Sequence, residues 1–146
     1  MIPPDPSRNP TPMACAVCGL VLARYHKEGK AQFKHGPGDP DDHPVIVVPA
    51  AQIHATIRCD FCLAEDATWT LPVETYAMQG GPDMNIGDWA VCDICAGLLQ
   101  ADDWDAIVQR VWELFVKRNG MVPQSAFERM YEELRPHILG PVYRVN

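Results

Sequence analysis

Six cysteines stand in the chain as Cys15/Cys18, Cys59/Cys62 and Cys92/Cys95, three pairs of Cys-x-x-Cys spacing with none left over. A disulfide inside such a pair would close a tiny loop and constrain little of the unfolded chain. Two thiolates on one tight turn instead point the same way, which suits a shared metal ion. The opening residues, Met1 to Pro6, carry neither a basic segment nor an apolar one, so no signal peptide is expected. The longest apolar run, residues 45–51, is far short of the roughly 20 residues of a membrane span. Both features point to a cytoplasmic chain with reduced thiols, where paired cysteines signal metal or redox chemistry.

Cys59-Asp60-Phe61-Cys62 and Cys92-Asp93-Ile94-Cys95 are separated by 29 residues, room for a hairpin and a loop. Four thiolates from two turns match the tetrahedral shell of structural zinc. The first pair precedes candidate strands, and the second runs directly into the helix-forming Ala96-Gly97-Leu98-Leu99. A knuckle, a hairpin, and a helix whose first turn supplies the last two ligands resembles a treble-clef zinc finger. A helix N-terminus also favours thiolate charge. A zinc ribbon, with both pairs in hairpin turns, is the alternative architecture. Trp89-Ala90-Val91 ahead of Cys92 resembles a redox motif locally, but no βαβ pattern surrounds it.

Cys15 and Cys18 supply two ligands and need two more. A hairpin over residues 20–34 would return His35 to the cysteine turn, and His43 would follow from the Asp/Pro loop. The expected site is a second zinc held by Cys15, Cys18, His35 and His43, with His26 or His54 as replacements. Sixteen residues separate Cys18 from His35, and no amphipathic helix carries both histidines, so this is not a DNA-reading finger. Asp39, Asp41 and Asp42 read as turn-forming residues.

The elements that would position these residues follow from pattern. Residues 1–13 hold five prolines and read as a disordered arm. Strands are expected over 20–25, 31–34, 45–48, 68–71 and 74–78, with residues 79–87 as a loop and 89–91 leading into Cys92. Trp104, Ile107, Val108, Val111, Trp112 and Phe115 follow helical spacing behind a cap at Asp102 or Asp103. A second helix should open at Ser125 through a capping box with Glu128 and end at Pro136. The whole reads as a small metal-bound α+β chain. Its parts are an arm (1–13), a mixed-ligand zinc module (14–50), a four-cysteine module (51–101) and a helical pair packed on it (102–146).

The string Cys59-Asp60-Phe61-Cys62, Trp69, Gly87-Asp88-Trp89-Ala90-Val91-Cys92-Asp93-Ile94-Cys95 and Asp102-Asp103-Trp104-Asp105 resembles uncharacterised small zinc-finger-like proteins of actinobacteria and their phages. Cys15-x-x-Cys18-Gly19 with His35 and His43-Pro44 resembles another module of those proteins. The resemblance covers roughly residues 14–110 and implies metal binding without implying an activity.

Charge bears on partners. The formal net charge is −7, and six thiolates around two divalent ions would make it −9. Residues 51–100 hold one basic residue, Arg58, against seven acidic ones. Nonspecific nucleic-acid binding is therefore disfavoured, and the expected role is a noncatalytic zinc module that binds a protein partner. Trp104, Trp112, Phe115, Phe127 and Tyr131 are expected in the helical core, or alternatively in a groove for a partner helix. The alternative function is a nucleic-acid-binding or transcription-related protein that uses Arg110, Lys117, Arg118, Arg129 and Arg135 as a basic face. An enzyme is not expected: a metal-dependent nuclease on a treble clef needs histidines beside its second knuckle, and residues 79–100 have none.

Overall fold

The structure is a computed structural model that describes residues 11–36, 39–80 and 84–144. Most of the expected arm (1–13) lies outside these residues. Nine short strands and three α-helices are present among them: β1 (Met13–Cys15), β2 (Ala23–Lys27), β3 (Lys30–Lys34), β4 (Val47–Pro49), β5 (Trp69–Leu71), β6 (Tyr76–Ala77), β7 (Met84–Asn85), β8 (Trp89–Val91), α1 (Asp93–Gln100), α2 (Trp104–Asn119), α3 (Gln124–Leu134) and β9 (Tyr143–Arg144). Among the described residues no helix is long and apolar enough to cross a membrane.

The first part is built on two antiparallel pairs. β2 and β3 form a hairpin whose turn residues, Glu28 and Gly29, both have positive φ (53° and 77°). That geometry matches the right-handed twist of the flanking strands. Across it Arg24 lies over the Phe33 ring and Lys34 over the Tyr25 ring. β1 pairs with β4 in the register Met13↔Pro49 to Cys15↔Val47. Ala16 donates to the Ile46 carbonyl and Ala50 to the Pro12 carbonyl, so residues 46, 48 and 50 face β1. Pro49 thus lies at an outward position of an edge strand, where its missing N–H costs no ladder bond. The strand expected over 20–25 begins later, at Ala23. Leu20 and Val21 are diverted into single bridges with Thr56 and Ala14.

The second part centres on β5, flanked by β8 and β9. The strand order places Trp69 between Val91 and Arg144. β9 was not expected: two residues after Gly140-Pro141 carry no periodic signal, and only the waiting edge of β5 makes them a strand. The loop expected over 79–87 is likewise interrupted, because Met84 and Asn85 pair with Ala77 and Tyr76. Asn85 also accepts the Trp89 indole N–H at 2.7 Å, which ties the loop to β8.

α2 opens as its signals indicate: the Asp103 carboxylate accepts from the Ala106 amide, and Gly120 at φ 94° ends it. α3 departs from expectation. It begins at Gln124 behind Pro123 without a side-chain cap bond, and the Ser125–Glu128 capping box does not form. The Trp112 indole donates to the Val122 carbonyl at 2.8 Å. This pins the turn so that the chain enters the helix from Pro123, leaving Ser125 exposed inside the first turn.

One apolar core joins the second part to the helices. Cys59, Cys62, Cys92 and Cys95 share it with Leu71, Val73, Val91, Ile107, Val111, Tyr131 and Leu134. Burying a side chain such as Ile107 or Leu134 contributes about 1.5–3 kcal/mol. Phe61 projects from the first cysteine turn into this core, with ring centroids 4.8 Å from Trp89 and 5.4 Å from Tyr131. Phe115 and Phe127 close the far end of the helical pair edge to face. By contrast, the residues before Cys59 bury only Ala14, Cys15, Leu22 and Ala50 among the described apolar side chains.

Candidate metal centres

Among the described residues two clusters of ligand atoms converge, each with all its atoms within 4.8 Å of one another: Cys59, Cys62, Cys92 and Cys95, and Cys15, Cys18, His35 and His43. All six cysteines are free thiols.

The four-cysteine centre is assembled from two unlike turns. The Leu63 amide donates to the Cys59 carbonyl, and Leu63 takes the left-handed conformation (φ 58°) that reverses the chain after Cys62. The second pair straddles the start of α1. Cys92 is its N-cap, with the sulfur accepting from the Cys95 amide, and Cys95 lies in the first turn. The Cys62 and Cys92 sulfurs are 3.8 Å apart. A disulfide would need about 2.05 Å, whereas a tetrahedron with metal–sulfur bonds of about 2.3 Å has edges of about 3.8 Å. Exposure of the four residues is at most 3%, so no coordination position opens to solvent.

The electrostatics call for a cation. Hydrogen bonds from Cys59 and then Cys95 hold the Cys62 thiol far below its usual range. The Cys59 thiol is pushed up to about 12, first by Cys62. Cys95 rises further, driven by Cys59 and Cys62. A charge on Cys62 is thus tolerated while Cys59 and Cys95 resist another, a conflict that a divalent ion at the centre of the sulfurs removes.

The residues between the cysteines anchor both turns. Asp60 donates its amide to the Ala90 carbonyl and accepts the Ala90 amide through its carboxylate at 2.7 Å. Desolvation raises that carboxyl to about 6, against the pull of the Ala90 amide. Asp93 accepts from the Trp69 indole (2.7 Å) and the Thr68 hydroxyl (2.9 Å), and these bonds lower its pKa. Two of the seven acids of the middle segment therefore serve the fold as well as the surface.

In the mixed centre, Gly19 at φ 75° lets its amide return to the Cys15 carbonyl and close the cysteine turn. The β2–β3 hairpin then delivers His35, and the following loop delivers His43. His43 Nε2 stands 3.4 Å from the Cys15 sulfur, and the two imidazole centroids are 4.6 Å apart. Desolvation pushes the Cys15 thiol up, but the backbone groups of Ile46 and Cys18 and the His35 ring outweigh it, bringing the thiol down to about 5. The His35 side chain is 3% exposed, and neither ring nitrogen has a hydrogen-bond partner. A buried imidazole left in that state fits a ligand to a metal, since buried polar atoms are otherwise satisfied. His54 is exposed and lies outside the cluster. His26 lies on β2 opposite Ala31.

The aspartates of this loop do more than turn the chain. Asp42 accepts from His43 Nδ1 at 2.9 Å, leaving Nε2 for the cluster, and Asp41 lies 3.5 Å from His35 Nδ1. The Asp42 bond, followed by the Cys15 contact, raises the His43 pKa. A carboxylate behind a ligating imidazole fixes its tautomer and strengthens it as a donor. Asp39 pairs with Arg58 at 3.3 Å, linking this loop to the residue before Cys59. The adjacency Asp42-His43 was the available sequence signal for such a carboxylate–imidazole pair. Replacing Asp42 by Asn should weaken metal binding at the mixed centre about 10- to 100-fold while leaving the four-cysteine centre unchanged. Competition against a chelator of known affinity checks this, and equal affinities in the two proteins would refute it.

Comparison with protein-family models, curated proteins and solved structures finds no match to this chain.

Proposed function

We propose that the chain is a noncatalytic structural-zinc protein, a two-zinc scaffold that presents a surface to a protein partner in the cytoplasm. The observation that carries this reading is the closed four-sulfur centre inside the core that also holds α2 and α3. Four thiolates within 4.8 Å of one another, one pair at the 3.8 Å edge of a metal–sulfur tetrahedron, suit zinc, and a shell without an open position suits scaffolding rather than catalysis. The turn, the antiparallel β5/β8 pair and the ligand-bearing start of α1 support a treble-clef-like unit over a zinc ribbon. The mixed centre, with two sulfurs and two imidazoles, suits a second zinc.

A protein partner is favoured over nucleic acid by what the basic residues contact. Arg110 and Arg118 turn toward the first cysteine turn, and Arg135 lies over the Trp104 ring. Lys117 and Arg129 are exposed, but they lie amid the glutamates of the same helices. Exposed Glu65, Asp66, Glu74 and Asp93 present an acidic surface that suits a basic partner. The resemblance to actinobacterial and phage proteins makes an actinobacterium the host in which to seek it.

The test is affinity purification of the zinc-loaded chain from such a host, with nuclease treatment and a chelator-stripped control. A defined protein that co-purifies at constant stoichiometry with the loaded chain alone is the expected result. Recovery of nucleic acid with steep salt dependence, and no protein, would replace this reading with the alternative.

A further inference from the structure

Arg110 has no role in a purely solvated helix face. It sits on α2, where Ile107, Val108 and Val111 are buried, and its guanidinium Nη2 points at the Cys62 sulfur from 3.9 Å. Its Nε is buried without a hydrogen-bond partner. The side chain therefore forgoes some hydration to stand beside the cluster. Two turns further along the same helix, Arg118 donates to the Leu63 carbonyl at 2.6 Å, so α2 grips this turn at two points of different chemistry.

A divalent ion held by four thiolates carries a net charge of −2. Its sulfurs keep lone pairs that can attack an electrophile or take up a proton, and either event weakens the metal–sulfur bond. A fixed cation on one sulfur opposes both. We propose that Arg110 is the outer-shell cation of the four-cysteine centre, holding the Cys62 sulfur in an unreactive, slowly exchanging state. The proposal rests on the reading that this centre holds a divalent ion, and it assigns the centre to inert scaffolding rather than thiolate transfer chemistry. Arg110 acts through Cys62 and is a positioning residue.

The test uses the full zinc-loaded chain, its ion content measured first, in wild-type form and as Arg110→Met, Arg110→Lys and Arg118→Met. Each protein is challenged with iodoacetamide: the sulfur lone pair forms an S–C bond, the C–I bond breaks and iodide leaves. Peptide mass mapping reports the rate at each cysteine, and a chromogenic chelator reports ion release. Arg110→Met should alkylate Cys62 and release the ion of this centre about tenfold faster, the order expected for loss of a charge-assisted contact. Arg110→Lys should restore rates to within about threefold of wild type. Arg118→Met, which loosens the same turn without removing charge from the sulfur, should lower thermal stability but leave the Cys62 rate near wild type.

Wild-type rates in Arg110→Met at full ion content would overturn the role of Arg110 and leave the metal reading intact. Equal acceleration in Arg118→Met would also overturn it, by tracing the effect to a loosened turn. A chain whose four-cysteine centre holds no ion sinks both the proposal and the zinc reading. Should Arg110→Met fail to fold, the ratio of Cys62 to Cys59 alkylation in Arg110→Gln, which keeps a polar side chain without the charge, decides. A ratio shifted toward Cys62 upholds the proposal, and an unshifted one overturns it.

Discussion

Replacing Cys95 by serine should leave one bound ion per chain instead of two and abolish cooperative thermal unfolding of the part that runs from Cys59 to the C-terminal helices. Cys95 is fully buried in the first turn of α1, in one core with Ile107, Tyr131 and Leu134. Binding of structural zinc contributes on the order of 10–16 kcal/mol. A domain of this size has a net stability of about 5–15 kcal/mol. The metal term is thus as large as the whole margin, and three remaining thiolates around a mismatched hydroxyl cannot supply it. Chelator stripping of the wild-type chain should have the same effect, with loss of near-ultraviolet circular dichroism from Trp89 and Trp104, whose rings pack near Phe61. A Cys95→Ser protein that melts cooperatively within a few degrees of wild type would refute the scaffold role.

The second large effect is local. His43→Ala should also remove one ion, yet spare the cooperative melt of the four-cysteine part and its helices. The residues before Cys59 bury only Ala14, Cys15, Leu22 and Ala50 among the described apolar side chains, too little to offset the entropy of ordering so many residues. Without its metal this part should lose structure, so amide exchange over residues 13–49 should approach unprotected rates while β5, β8 and α2 keep theirs. Exchange measured by mass spectrometry separates the two parts. Retained protection in β1, β2 and β3 of the His43→Ala protein would show that the mixed centre does not hold them. A uniform collapse of both parts would show that the Asp39–Arg58 ion pair and the Arg58–Asp66 bridge couple them more strongly than their geometry suggests.

The spacing Cys-x-x-Cys, the hairpin length between Cys18 and His35, and the apolar period from Trp104 to Phe115 are local quantities. From them alone followed three things: that four sulfurs should meet, that His35 and His43 should be available to Cys15, and that α2 should bury one stripe. Local chemistry was misleading where tertiary contacts compete with it. The Ser125 capping box lost to the Trp112–Val122 bond, and the loop over 79–87 gained a strand because β6 offered Met84 and Asn85 an edge. β9 exists for the same reason against β5.

The outer shells of both centres were out of reach of spacing. Asp42 looked like a turn residue, and Arg110 like part of a basic face. Their roles depend on where the loop before β4 and α2 carry them, and that is settled by packing across 28 and 48 residues of sequence between the partners of each centre. The cysteine pairs, then, are determined by the sequence itself, because a turn of four residues aims both sulfurs without help. What surrounds each sulfur, and whether it is closed off and charge-balanced, only the tertiary structure decides, because helix and strand faces meet there from distant parts of the chain.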